Sequence, residues 1–375
     1  MIRRAHCLVA AALLAGTLAV GMSAATATAS SAGAYAWGDN NLGQLGDGTT
    51  NPHVTPATVR LPGTVVEVHG GREHGVALLS DHTVWTWGWN KYGQIGDGMN
   101  LKRTTPVRVL TNAVHVTTGH YSTMALGTDG TVWAWGRNDT GQLGDGTRIS
   151  RNLPVRVQGL PGGVTAIAAG RNHSLALAAG TVYAWGSNAA GQLGTGNTAA
   201  QSGAVRVPGL SGVTAIAAGR DHTLAISSTG LYAWGENGYG QVGNGGIADQ
   251  LSPYRVSGPT GVKSVAAGAE HSLAVDGTGA VWAWGRNRYG QVGDGTLTNR
   301  KTPVRTGLAG VVRVGAGRDH SLAVRSTGTL AAWGSNVNGQ LGDGSKVNRA
   351  SAVTVSGLTG VKAAAGGYDF SVALV

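Results

Sequence analysis

Three kinds of residue in this chain of 375 residues have types and spacings that invite chemistry. A histidine recurs in the pattern G-x-x-H, at His74, His173, His222, His271 and His320. An aspartate recurs before a glycine in a loop, at Asp47, Asp97, Asp145, Asp294 and Asp343. Ser or Thr, His and Asp also stand side by side, as in Arg220-Asp221-His222-Thr223. These sets suggest a metal ring, calcium loops and a hydrolytic triad. Their spacing argues against all three. If each histidine belongs to its own sheet, facing sheets lie about 10 Å apart, whereas zinc holds each nitrogen at about 2.1 Å. Calcium needs about six to eight oxygens, and each loop offers a single carboxylate in an Asp-Gly pair that is itself a turn signal. There is no G-x-S-x-G elbow, and the glycines open onto strands, not onto a helix that could cradle phosphate. The expectation is no catalytic residue, no metal and no cofactor. The histidines are expected to be buried or half-buried, closing the first turn of each unit by hydrogen bonds.

The elements that carry these residues are written in the same spacing. Trp-Gly returns at Trp37, Trp87, Trp135, Trp185, Trp234, Trp284 and Trp333, with gaps of 50, 48, 50, 49, 50 and 49 residues. Each pair is followed by an Asn and then by Gly-Gln-Leu/Ile/Val-Gly. A period near 50 residues marks a repeat architecture. Within one unit VTAIAAG (164–170), SLALAAG (174–180), TVYAWG (181–186) and PVRV (154–157, from the preceding unit) read as strands one to four, with apolar residues alternating by two. Tyr183 and Trp185 share one face, and the valines of PVRV share another, with the arginine opposite. The fold expected is all-β: a seven-bladed β-propeller with four antiparallel strands per blade. The chain after its first residues begins on a third strand, AYAWG, and ends on a second, FSVALV. The closing blade is therefore expected to be shared between N-terminal and C-terminal strands, which leaves no free sheet edge at the seam.

The run AAGxxHSLAL, YAWGxNxxGQLGDGT, PVRV resembles the repeats of the regulator of chromosome condensation family, over residues from about Ala34 to Val375. Departures are local. Ser122 and Phe370 replace the histidine in two units, and Thr195 and Asn244 replace the loop aspartate in two. The founding eukaryotic member is a chromatin-bound guanine-nucleotide exchange factor for a small GTPase, so the resemblance implies nucleotide exchange as one activity. No segment matches the exchange wedge. Secreted seven-bladed β-lactamase inhibitory proteins of soil bacteria use similar but shorter repeats, which adds enzyme inhibition as another. Propeller lyases and hydrolases acting at the central opening are a third. Fold settles none of these.

Residues 1–29 read as a signal peptide. Arg3 and Arg4 precede the apolar run Leu8 to Val20, and small residues offer cleavage near Ala27 or Ala29. Export through the general or the twin-arginine route stays open. Residues 30–375 then form one propeller domain, as a secreted, bacterial-type member without a membrane span. Cys7, the only cysteine, would leave with the leader, and the net charge would fall from +10 to +8. Gly is 64 of 375 while hydrophobic residues stay at 42%, so a collagen-like or disordered chain is excluded.

What varies between units is confined to two sets that an up-and-down blade places on one face: the turn between strands one and two, and the loop between strands three and four. The first set contributes Arg72, Tyr121, Arg171, Arg220, Arg318 and Tyr368. The second contributes Trp89, Tyr92, Arg137, Tyr239, Arg286, Arg288 and Tyr289. Arg, Tyr and Trp are the types enriched at interface hot spots, and loops on a rigid scaffold are where function sits. The expectation is a monomeric binding scaffold whose partner is a protein or an anionic cell-surface polymer, with nucleic acid excluded by an extracellular setting.

Overall fold

The computed structural model of the chain describes residues 33–375. The stretch read as a signal peptide, with Arg3, Arg4 and Cys7, lies outside the described residues. The described chain is all-β: twenty-eight strands form seven four-stranded antiparallel sheets. Six sheets are built from consecutive strands and are numbered here as blades 1 to 6 (residues 65–110, 113–156, 164–206, 213–255, 264–305 and 311–354). The seventh has the order His53–Thr58, Ala34–Gly38, Phe370–Leu374, Ala363–Gly366. Its two halves pair antiparallel with Tyr35 opposite Ala373 and Ala36 opposite Val372. The shared closing blade read from the sequence is therefore present.

Each blade turns its two faces to its two neighbours, and the residue alternation assigns the faces. In blade 3, Leu175, Leu177, Val182 and Ala184 pack toward Ala225 and Trp234 of blade 4. Ala176, Ala178 and Trp185 face back toward Met124, Leu126 and Leu143 of blade 2. The other interfaces repeat this fit of one blade's aliphatics to the next blade's indole. All seven Trp-Gly tryptophans are buried. Each indole Nε1 donates to the backbone carbonyl of the Gln in the preceding blade, at 2.8–3.0 Å. A buried indole hides roughly 150–250 Å². At about 25 cal/mol per Å² that is about 4–6 kcal/mol as an upper bound, against about 1 kcal/mol net for the bond. Burial holds the blades together, and the bond sets where each indole stops.

One expectation is corrected. The fourth strands begin earlier than PVRV, at Arg103 and Arg151 in blades 1 and 2. An irregularity in pairing, between Arg151 and Val155 in blade 2, breaks the two-residue alternation that would have revealed the earlier start. The histidines close their own turns as expected, through the backbone carbonyl, which accepts the Gly N–H of each G-x-x-H at 2.8–2.9 Å; their side chains reach further. Each Nε2 reaches a hydroxyl on the next blade at 2.9–3.1 Å: His74 to Thr123, His173 to Thr223, His222 to Ser272, His271 to Ser321 and His320 to Ser371. Those hydroxyls in turn donate to the same Gln carbonyls that the indoles use, at 2.8–2.9 Å. The hydroxyl's single proton is thereby spent, so Nε2 carries a proton, and burial, which pushes these imidazoles down to about 3 to 4, keeps the rings neutral. Where Phe370 stands in place of the histidine, blade 1 presents Gly75 in place of the hydroxyl.

Candidate interaction face

The two variable sets are brought together by one backbone bond per blade. The residue after each Trp-Gly donates its N–H to the carbonyl of the residue before the repeated His position, at 2.7–2.9 Å: Trp89 to Glu73, Arg137 to Tyr121, Arg286 to Glu270 and so on around the ring. The intervening glycine makes this possible. Gly186 has φ +98°, and a Cβ there would strike the Asn172 carbonyl and the His173 Cα. A second set of backbone bonds runs from blade to blade around the axis, at 3.0–3.3 Å: Arg72 N–H to His120 O, His120 to Gly170, Arg171 to Arg220, Arg220 to Gly268, Ala269 to Arg318, Arg318 to Gly367, and Tyr368 to Gly71. This annulus closes on itself and fixes the mouth of the central channel. The channel, of about 290 Å³, is walled mainly by Ala and Gly of the first strands, with His69 and Thr117 among its larger side chains. It opens into a funnel of about 330 Å³ on the loop face.

Nine of the thirteen residues singled out in the sequence line this funnel: Arg72, Tyr121, Arg137, Arg171, Arg220, Arg286, Tyr289, Arg318 and Tyr368. Trp89 and Tyr92 join it through Tyr121, with ring centroids 5.1 and 5.2 Å away. Tyr239 joins through Arg286, whose guanidinium lies 5.0 Å from its ring. Arg288 is exposed on the outer side, over Tyr289 at 5.6 Å. The face has two halves. Around blades 1, 2 and the closing blade, aromatic rings meet edge to face and guanidinium groups lie on them. Arg72 is 5.2 Å from the Tyr121 ring and 4.6 Å from that of Tyr368, and Arg137 is 5.3 Å from that of Tyr92. Around blades 4, 5 and 6 the arginines are held by carboxylates. Arg220 contacts Asp221, Glu236 and Glu270; Arg286 contacts Glu270; Arg318 contacts Asp319 at 2.7 Å and Asp369 at 3.4 Å.

The acids that answer these arginines were missed in the sequence except as chain neighbours. The signal was present: Arg171 and Asp221, and Arg220 and Glu270, are each 50 residues apart, one blade step. Their electrostatics follow from partial burial. Desolvation holds the Asp221, Glu236 and Asp369 carboxyls above their ordinary range against the pull of the arginines. His120 sits in the floor of the funnel. Burial, and then the charges of Arg72, Arg171 and Arg220, push it down to about 3, so it is neutral. Among the described residues, no three His, Cys, Asp or Glu side chains converge as metal ligands, and no helix is long and apolar enough to cross a membrane.

The loops themselves are framed from within. The buried Asn after each Trp-Gly, Asn287 for example, accepts the Val292 N–H with Oδ1 at 2.9 Å and donates Nδ2 to Asp294, Thr296 O and Thr298 O. The loop aspartate also holds the first residue of the fourth strand, as in Asp294 with Arg300, Asp145 with Arg151 and Asp343 with Arg349. These are turn devices, as expected for Asp-Gly.

Comparison with known proteins fits this geometry. The profile of the RCC1-like domain matches residues 104–375, and that of the Regulator of chromosome condensation (RCC1) repeat matches residues 32–78 and 81–126. Prp20p from Saccharomyces cerevisiae, studied for its binding to Gsp1p and histones, is similar in structure: TM-score 0.83, 23% identity, 92% of this chain and 92% of that chain covered. So is yeast RCC1 (Prp20) bound by Kap60: TM-score 0.83, 23% identity, with 95% and 94% covered. Human WBSCR16 gives a TM-score of 0.81 and 26% identity over 92% of this chain and 98% of that chain. The likeness to Prp20p is one of fold.

Proposed function

The chain belongs to the RCC1-like domain family, and from that premise we propose that it is a secreted, non-catalytic scaffold that binds a protein partner through its loop face. The observation that carries this reading is the pre-organisation of the face. Fourteen backbone bonds, two per blade, fix the turns and loops that bear the Arg, Tyr and Trp side chains. Binding then orders few groups, and the ordering of loops and side chains is a main cost of association. The outer parts of the same loops add exposed aliphatic residues, Leu101, Ile149, Leu297 and Val347, each more than half exposed. An aromatic and Arg centre with an aliphatic surround suits a protein surface better than a polyanion, which would need unpaired cations. Prp20 of yeast, similar in fold, is described with protein partners, Gsp1p, histones and Kap60.

The test is affinity capture from culture fluid, with the intact protein compared with the triple variant Trp89→Ala/Tyr121→Ala/Arg137→Ala, whose fold is checked by circular dichroism. Loss of the captured protein in the variant is the expected result. Equal capture by both rejects the loop face as the binding surface. Export is tested separately by the N-terminal residue of protein recovered from the medium. Cleavage after Ala27 or Ala29 is expected, and retention of Met1 in a cell-bound chain rejects secretion.

A further inference from the structure

Six arginines line the funnel, and the carboxylates that answer them are unevenly shared: Arg137 has Asp139 beside it. Arg220, Arg286 and Arg318 are engaged by nearby acids, as described above. Arg72 and Arg171, on either side of His120, each meet a single carboxylate, at the longer distances of 3.5 and 3.4 Å. The only carboxylate near Arg171 among the described residues is Asp221, at 3.4 Å, which Arg220 also holds at 3.2 Å, and the Arg171 side chain is 43% exposed. Arg72 lies against the Tyr121 and Tyr368 rings. Its Nε is buried without a hydrogen-bond partner and its nearest carboxylate oxygen, on Glu73, is 3.5 Å away. A guanidinium is a planar fork built for a carboxylate or phosphate. Two of them with spare donors, on a rigid annulus and beside aromatic walls, present such a fork to the funnel.

Resting on the loop-face reading, we infer that the sector of the funnel between Arg72 and Arg171 is the anchor point of that face, receiving a carboxylate side chain from an acidic segment of the partner, with an apolar neighbour of that residue against Tyr121 and Trp89. Size and charge choose this occupant. A funnel of about 330 Å³ admits a side chain or a loop tip, not a folded surface. Glu270 and Asp319 on the opposite wall oppose a doubly charged phosphate more strongly than a singly charged carboxylate. His120 between them is kept neutral by burial and then by the same arginines, so the two guanidinium groups are the charges a carboxylate meets there.

The probe is a fluorescein-labelled decapeptide alternating Glu with Phe, titrated into the intact protein at low salt and read by anisotropy, with its Gln-for-Glu counterpart and inorganic phosphate as the other arms. The Glu peptide is expected to bind at least tenfold more tightly than the Gln peptide and to weaken as salt rises. Arg171→Gln, an exposed change that leaves the fold intact, and Arg72→Lys, which keeps the charge but loses the fork, are each expected to weaken it by about tenfold. Equal binding of the two peptides, no binding at millimolar peptide, indifference to Arg171→Gln, or displacement by phosphate at lower concentration than by the Glu peptide would overturn the proposal. If partner capture is lost in the Trp89/Tyr121/Arg137 variant yet kept by Arg171→Gln and Arg72→Lys, the acid seat fails while the loop face stands. If all variants keep capture, both fail.

Discussion

The five bridging histidines make stability depend on pH in a direction that can be worked out. An unfolded histidine titrates near pH 6.5. In the folded chain burial pushes His74, His173 and His271 down to about 4 and His222 and His320 down to about 3. His69 and His120 are lowered as well. Below pH 6.5 the unfolded chain binds protons that the folded chain refuses, so stability is full above that pH and is lost as pH falls toward about 4. Each histidine adds a slope approaching about 1.4 kcal/mol per pH unit. His115, held above its ordinary value by Glu67, has the opposite sign but is a single group. The raised carboxyls of Glu73, Asp221, Glu236 and Asp369 also oppose the trend, but only at the lower pH where carboxylates titrate. The melting temperature is therefore expected to fall steadily from pH 6.5 to 5, with His222→Gln reducing the slope by one histidine's share even though it lowers stability at pH 7.5. A flat profile between pH 7.5 and 5 would refute this account. That the histidines were buried and structural was legible from their period. Their reach to the next blade was not, because the hydroxyl that follows four of the five histidines in the chain looks like a local partner until the sheets are assembled. Phe370 and Gly75, changed together, were the available clue.

At the level of the loop, magnitudes decide which residue holds the shape. The pair Asp294–Arg300 looks dominant, at 2.6 Å. Yet Asp294 also accepts from Thr296 N, Thr296 Oγ1 and Asn287 Nδ2, so it stays satisfied without the arginine. Blades 3 and 4 already lack the pair: Thr195 stands with Gln201, and Asn244 with Gln250. Arg300→Gln is expected to cost less than about 1 kcal/mol, as for other half-exposed pairs. Asn287→Ala strips the buried Val292 N–H of its acceptor and three groups of their donor. Its cost is expected to be on the order of 3 kcal/mol. Urea midpoints at constant m-value measure both, and a larger loss from Arg300→Gln than from Asn287→Ala would reverse the assignment. The Asp-to-Arg spacing of six residues, lost in both partners together, was readable beforehand. The Asn was readable only as an invariant of the repeat, because its four bonds exist only once the loop has curled around it. The same holds for the face: which residues gather was legible from blade topology, while how closely an arginine such as Arg171 or Arg220 is held depends on contacts across a blade step.

The ring as a whole is closed twice, by the annulus of backbone bonds at the mouth and by the pairing of the two chain halves in the closing blade. The second can be moved. Val375 N–H donates to Gly33 O at 3.0 Å, so joining these residues requires only a short linker. New ends placed in the turn at Ser228 and Thr229, between the second and third strands of blade 4, recreate a shared blade at another position. New ends placed near Gly209, between blades 3 and 4, leave every blade built from continuous chain, with the seam closed by side-chain packing and scattered hydrogen bonds, among them Trp234 to Gln192, His173 to Thr223 and one bond of the annulus, but by no strand ladder. Both permutants keep every intrablade strand pair, so both are expected to fold. They should differ in how the ring opens. In the first, opening requires breaking a strand ladder, as in the parent. In the second, a single interface parts without the loss of any ladder, and edge blades are then free to unravel. The permutant opened near Gly209 is expected to unfold about tenfold faster than the one opened at Ser228, a difference of about 1.4 kcal/mol in the barrier. Matching unfolding rates in stopped-flow urea jumps would mean that interblade packing, and not the shared sheet, is what keeps the circle shut.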